Sequence, residues 1–381
     1  MPRKRSLIKS LTRGTAIAAA RLWLQPRESP LPPPESIRNV LVFKMWAIGE
    51  YLMATPAFAA LRARYPQAKI TFVGGLNLAP LAAAAPFFDE VWSVPEEIFV
   101  DRRLGSMRAL GRRVREAGFD LAVVFHQAWE FTLFTAAARV PHRVGFDRAG
   151  DGFGHTVKVP YGVRIHQVEE YFDLALACGA GGEPGPMVVA PPAGSVEEVA
   201  ALRRENQSLR PGDYILVAPG GGVNPKTRME DKRWPADYYG ALIKALKNAY
   251  PVLLIGGPSD ADVNNRVSAA ASVPDLTGRT SLGALFLLLR GARLFIGNDS
   301  APMHLAAAAG CPTVAFFGPT NPRLNGPWMT KCLILQSREP CVPCYADGYF
   351  PACADRKCLT GIKPENAAAE IHEFLDSFGG G

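Results

Sequence analysis

The chain has 381 residues, room for two ordinary domains and too many for a small stapled module. Hydrophobic residues make up 48% and charged residues 20%, which excludes a largely disordered chain, while 36 glycines and 33 prolines imply many tight turns and favour α/β over a helix bundle. The formal charge of +7 is concentrated at the start, where seven bases (Arg3, Lys4, Arg5, Lys9, Arg13, Arg21, Arg27) face only Glu28 and Glu35; the nearly neutral remainder lacks the net basicity that a nucleic-acid partner requires.

Residues 1–36 begin like a signal peptide, but Arg13 and Arg21 interrupt every candidate apolar region. Leu7, Leu11, Ala18 and Leu22 could line one face of a short helix with bases on the other, the pattern of a helix lying on an anionic membrane surface. A basic extension without fixed structure fits the same residues. Pro30 to Pro34 then form a stiff linker. No later stretch approaches the roughly 20 apolar residues of a membrane span, so the expected location is the cytoplasm, peripheral on the inner face of the cytoplasmic membrane.

After the linker, Asn39 to Phe43 is a continuous apolar run suited to a buried parallel strand, and a turn with Gly49 leads into a helix through Ala63. Further strands are expected at Lys69–Val73, Glu90–Val94 and Asp120–Phe125, with helices at Leu76–Ala84, Leu104–Ala117 and Ala128–Ala138. A looser region from Arg143 to Gly162 precedes a helix over Gln167–Cys178. This alternation predicts right-handed βαβ units and a parallel sheet. Residues 180–194 have the Gly/Pro-rich composition of a connection, and the alternation restarts with strands at Tyr214–Ala218, Val252–Ile255, Leu294–Ile296 and Thr313–Phe317, interleaved with helices. The expected division is a tail (1–36), one Rossmann-like domain (37–190), a second (191–363) with a Cys-rich segment at 332–358, and a final helix and tail (364–381). Ligands of such sheets bind beyond the carboxyl ends of the strands, so a cleft between two such domains is the expected site.

Four strand-to-helix junctions could carry chemistry. In Leu294 to His304, Asp299 or Ser300 can cap a helix whose first turn takes Pro302, making a helix N-terminus that favours phosphate, with His304 as a further donor. Asp299 acting only as a cap and His304 only as filler explain the same residues. Pro219-Gly220-Gly221-Gly222 would let a ligand approach the backbone, and Lys226, Arg228, Lys232 and Arg233 follow before Trp234-Pro235. Asp260, after Ile255-Gly256-Gly257, could take ribose hydroxyls or merely cap a helix. Three such loops on one domain describe a nucleotide diphosphate pocket. In the first domain, Glu50 opens the first helix, where a carboxylate can act as general base or simply favour a helix start.

The run from Asn39 through Gly75, the KRWP block at 232–235 and the run from Leu276 through Pro322 resemble the glycosyltransferase family 9 heptosyltransferases of lipopolysaccharide synthesis, from Asn39 to the end of the chain. The resemblance implies a GT-B fold of two Rossmann-like domains facing a cleft, the first binding acceptor and the second the nucleotide-sugar donor. It implies inverting, metal-independent transfer of heptose from ADP-heptose to a lipopolysaccharide core or related lipid-linked glycan. Carried over by position, Glu50 stands where the family has a catalytic Asp, and Lys232 is the donor-site lysine that offsets the departing diphosphate. Asp260 replaces a ribose-binding Glu, and Asp299, Ser300 and His304 match a donor motif in which Ala301 replaces Gly; Gly220 and Gly221 complete the donor loop. A relative using another nucleotide sugar, or a non-catalytic nucleotide-sugar or glycan binder, remains the alternative. Cys341, Cys344, Cys353 and Cys358 could hold a structural metal, but the second pair lacks the close spacing of a zinc module, and free thiols are the favoured reading.

Overall fold

The computed structural model describes residues 29–381 except 149, 222, 225, 226, 346–349, 352, 380 and 381. The expected amphipathic helix of the tail, Gly222 and Lys226 therefore lie outside the described residues. The chain divides into two compact units: residues up to Trp46 with Pro56–Gly185, and Ala47–Thr55 with Pro186–Gly381.

In chain order the first part builds β1 (Asn39–Lys44), α1 (Ile48–Arg64), β2 (Lys69–Gly75), α2 (Ala79–Ala84), β3 (Glu90–Val94), α3 (Glu97–Val100) and α4 (Leu104–Glu116). It continues with β4 (Leu121–Val124), α5 (Trp129–Ala137), β5 (His142–Asp147), β6 (Val157–Pro160) and α6 (Gln167–Ala177). The strands pair in parallel in the order β3-β2-β1-β4-β5-β6. Their apolar runs follow from burial on both faces, which parallel sheets require. Leu41, Phe43, Val73 and Val124 face a core with Phe99, Phe131 and Phe134. Buried Lys44 donates from Nζ to the Tyr171 hydroxyl at 3.0 Å, which keeps its ammonium hydrogen-bonded inside the unit.

The region expected to be loose contains β5 and β6. Their polar residues hid them: His142 and Arg143 open β5, and Lys158 sits within β6 at the sheet edge. Arg143 is nevertheless buried, donating from Nε to the Gly154 carbonyl at 2.6 Å.

The second part contains α7 (Ser195–Glu205), β7 (Ile215–Ala218), a small hairpin of β8 (Val223–Asn224) and β9 (Thr227–Arg228), α8 (Ala236–Leu246), β10 (Val252–Leu254) and α9 (Ala261–Ala271). Then follow α10 (Leu282–Gly291), β11 (Leu294–Asn298), α11 (Ala301–Ala308), β12 (Thr313–Phe317), α12 (Pro322–Asn325), β13 (Cys332–Gln336), α13 (Lys357–Thr360) and α14 (Pro364–Gly379). The large sheet is again parallel, in the order β10-β7-β11-β12-β13. β13 was not foreseen in the Cys-rich segment. Its core gathers Ile215, Val217, Leu254, Ile296 and Phe316, and α14 docks on it through Ile371 and Leu375. Among the described residues no helix is long and apolar enough to cross a membrane.

Candidate active site

In the second sheet the chain steps from β7 outward to β10 and then returns to β11 on the other side. Strand order thus reverses between β7 and β11, and the carboxyl ends of these two strands frame the crevice in which α/β sheets take ligands. Pro219-Gly220-Gly221 leaves one strand there, and Asp299-Ser300 leaves the other.

Both glycines are required by close approach. A Cβ on Gly220 would lie 2.3 Å from Asp260 Cγ, and one on Gly221 would lie 2.6 Å from Ser300 Cβ; Gly221 also has φ +96°, the left-handed region that favours glycine. Asp260 clasps this loop. Its Oδ1 accepts from the Gly221 N–H at 2.8 Å and from Arg233 Nη2 at 3.3 Å, and its Oδ2 accepts from the Gly257 N–H at 3.0 Å. Arg233 completes the clasp by donating from Nε to the Gly221 carbonyl at 2.8 Å. Three bonds leave this carboxylate little acceptor capacity for a ribose.

Lys232 donates from Nζ to Asp299 Oδ2 at 2.8 Å, and both side chains are largely buried. Burial pushes the Asp299 carboxyl upward, but the Lys232 ammonium, through its charge and its hydrogen bond, together with nearby His304 outweighs this and holds the carboxyl below its ordinary value. The expected capping of α11 is not made. Asp299 is turned to Lys232, and Ser300 donates from Oγ to the Asn298 carbonyl at 3.2 Å, so α11 begins at Ala301 without a side-chain cap. Pro302 occupies its first turn as expected.

Sequence reasoning missed Asn298, which holds these parts in register. Its Oδ1 accepts from the Trp234 N–H at 2.9 Å and the Tyr239 hydroxyl at 3.0 Å, and its Nδ2 donates to the Pro219 and Gly220 carbonyls at 2.8 and 3.1 Å. All four hydrogen-bonding positions of the amide are used. The available signal was a polar residue closing the apolar run Leu294 to Gly297. Trp234 stacks on Phe316 at 4.1 Å between ring centroids, anchoring the segment that presents Lys232 and Arg233.

Glu50 is half-buried in the first turn of α1. The second unit takes in this turn, and Gly49 explains how: a Cβ there would lie 2.7 Å from His304 Cδ2 and 3.7 Å from Ala301 Cα. The bare glycine lets the start of α1 press on the start of α11. Glu50, Ser300, Ala301 and His304 are thereby gathered at one pair of helix N-termini, near Lys232–Asp299.

The four C-terminal cysteines are free thiols: Cys341 and Cys353 are exposed, Cys344 is half-buried and Cys358 buried. Burial first, and then the neighbouring thiols, push Cys358 up to about 11, so it is a protonated thiol at neutral pH. Among the described residues no three His, Cys, Asp or Glu side chains gather to hold a metal ion.

Residues 107–349 match the family model of glycosyltransferase family 9 (heptosyltransferase). Lipopolysaccharide heptosyltransferase 2 of Escherichia coli (strain K12) is 30% identical over 358 residues, 88% of this chain and 98% of that protein. Among solved structures, E. coli ADP-heptose LPS heptosyltransferase II aligns with a TM-score of 0.67 at 24% identity, covering 90% of this chain and 99% of that one. A family 9 glycosyl transferase from Veillonella parvula DSM 2008 aligns with a TM-score of 0.74 at 20% identity, covering 89% and 97%. Two parallel-sheet α/β domains with this alignment over nearly the whole chain define a GT-B fold, the expected fold class. The chain belongs to glycosyltransferase family 9, and the resemblance read from the sequence holds.

Proposed function

We propose that this enzyme transfers heptose from ADP-heptose to a lipopolysaccharide core or related lipid-linked glycan, with inversion and without a metal ion. The observation that carries the reading is the gathering of one general-base candidate, Glu50, with an uncapped helix N-terminus and a half-buried lysine. The E. coli relatives named for lipopolysaccharide heptosyltransfer and for ADP-heptose support the donor and acceptor classes. In this reading residues 37–190 bind the acceptor and 191–363 the donor. The lipid-linked acceptor places the protein in the cytoplasm, on the inner face of the membrane.

Glu50 takes the proton from an acceptor hydroxyl as its oxygen attacks the anomeric carbon from the side opposite the nucleotide. The new glycosidic bond forms as the bond to the β-phosphate oxygen breaks, and ADP leaves with the electron pair. Lys232 and the first N–H groups of α11, near Ser300 and Ala301, oppose the charge that develops on the diphosphate. Asp260 holds the Gly220-Gly221 loop open to the phosphates through Arg233 and offers its remaining lone pair to a ribose hydroxyl. His304 supports the base by seating Gly49.

Glu50→Gln is the decisive test, with transfer followed as ADP release and donor binding followed by titration of ADP. Removing a general base costs on the order of 10²–10⁴ in rate, with ADP affinity unchanged. Full activity in this variant would remove Glu50 from the chemistry. A parent protein that binds ADP without transferring heptose would favour the non-catalytic alternative.

A further inference from the structure

Among the described residues, the first unit bears its large exposed aliphatic side chains in one kind of place. Leu76 (51% exposed), Leu104 (61%), Val163 (64%) and Ile165 (59%) all follow the carboxyl ends of strands: Leu76 leaves β2, Leu104 opens α4 after β3, and the other two lie between β6 and α6. Loops beyond the carboxyl ends of parallel strands share one edge of the sheet, and from this same edge β1 hands the chain to α1 and Glu50.

Arginines crowd the Leu104 end of that edge. Arg102 and Arg103 are exposed just before it, paired with Glu130 at 3.3 Å and Asp101 at 3.2 Å on the surface. α4 then turns Leu110 and Val114 into the core, and helical spacing puts Arg108 and Arg112 at the centre of the opposite, exposed face. Neither makes an ion pair among the described residues. An exposed leucine beside unopposed arginines suits the boundary of an anionic bilayer, where the aliphatic group passes below the phosphates and the guanidinium groups stay among them. Nucleic acid would not reward the leucines.

We propose that Leu76, Leu104 and the Arg108–Arg112 face of α4 form a docking surface for an anionic phospholipid bilayer, separate from residues 1–36. The inference does not depend on which sugar is transferred. It would set the acceptor-side edge of the first sheet against the surface in which a lipid-linked substrate resides.

The test is co-sedimentation of the full-length protein with vesicles containing phosphatidylglycerol, against phosphatidylcholine vesicles. A basic residue near an anionic surface is worth roughly fivefold in affinity, so changing both Arg108→Ser and Arg112→Ser should weaken binding on the order of 25-fold. Leu104→Ser should weaken it a few-fold. Arg108→Lys with Arg112→Lys should bind like the parent, which separates loss of charge from loss of fold. The parent's affinity should fall with added salt, and that of the serine variant less steeply. Unchanged sedimentation of the serine variant would overturn the proposal and move the lipid affinity to the basic tail. Unchanged sedimentation with a raised KM for a detergent-dispersed acceptor would instead assign the arginines to the acceptor's own phosphates and also overturn it. Failure of the parent to bind the anionic vesicles ends it outright.

Discussion

The two units solve the same architectural problem with different materials. Each is a parallel sheet whose strand order reverses at its middle, and each keeps polar side chains inside it. In the second unit several of them form a connected network at the ligand edge, although Thr320 Oγ1 and Asn264 Oδ1 are buried without a hydrogen bond among the described residues: Asn298 spans four partners, Asp260 clasps Gly221 and Arg233, and Lys232 neutralises Asp299. In the first unit buried polarity includes a half-satisfied imidazole. His155 is enclosed, with Thr132 Oγ1 2.9 Å from its Nε2 and, among the described residues, no partner for its Nδ1. The contrast teaches where polarity was worth its desolvation: beside a crevice that must meet charged phosphates, pre-paired groups cost nothing further when the ligand arrives.

The sharpest way to break that comparison is to remove the centre of the network. Asn298→Ala strands the Trp234 N–H, the Tyr239 hydroxyl and two loop carbonyls. Each buried unsatisfied group costs about 1–3 kcal/mol, so we expect a loss of about 4 kcal/mol after local relaxation, read by denaturant unfolding. ADP affinity should fall with it, because the Gly220 loop and Lys232 lose their common anchor. A loss under about 1 kcal/mol would show that the network is ornamental to the fold.

Gly49→Ala comes next and acts on rate more than on stability. The added Cβ cannot remain 2.7 Å from His304 Cδ2, so the imidazole or the start of α1 must shift. A displacement on the order of 1 Å at the reacting groups costs about 100-fold in rate. We expect kcat to fall by that order with ADP affinity falling less, because the Gly220-Gly221 loop and Lys232 are left in place and only the start of α11 is disturbed. An equal fall in ADP affinity would mean that the glycine supports the donor loop instead.

These two residues also mark how far the sequence carries a reader. The strands that run apolar on both faces, β1, β7, β11 and β12, were legible because burial on two sides leaves an unbroken hydrophobic signature. β5 and β6 were not, since His142, Arg143 and Lys158 break that signature and are accommodated by tertiary hydrogen bonds. In the site, Lys232, Asp299, Ser300 and His304 could be named from their motif, yet the pairing of Lys232 with Asp299 spans 67 positions and has no local trace. Asn298 carries its importance in partners from three other segments. Asp260 was expected to face a ribose and is found first of all clasping its own loop, a use that depends on where Arg233 arrives.

Acid should separate the two units, and here the comparison can be made quantitative. Burial, with Arg143 and Lys158 adding repulsion, pushes the His155 imidazole down to about 3. In the unfolded chain an imidazole takes its proton near pH 6.5. Between these values the unfolded state binds the extra proton and the folded state does not, so stability is full above about pH 6.5 and falls on acidification by about 1.4 kcal/mol per pH unit. At pH 5 this amounts to about 2 kcal/mol. Asp299 behaves differently. Its folded carboxyl lies below its unfolded value, so its contribution is complete above about pH 4 and is lost only as pH falls further, through the folded value. Amide hydrogen exchange at pH 7 and pH 5, corrected for intrinsic rates, should therefore find β4, β5 and α5 losing protection while β7, β11 and β12 keep theirs. His155→Gln should flatten the response of the first unit. Equal loss in both units, or an unaltered response in the variant, would place the acid sensitivity somewhere other than this enclosed imidazole.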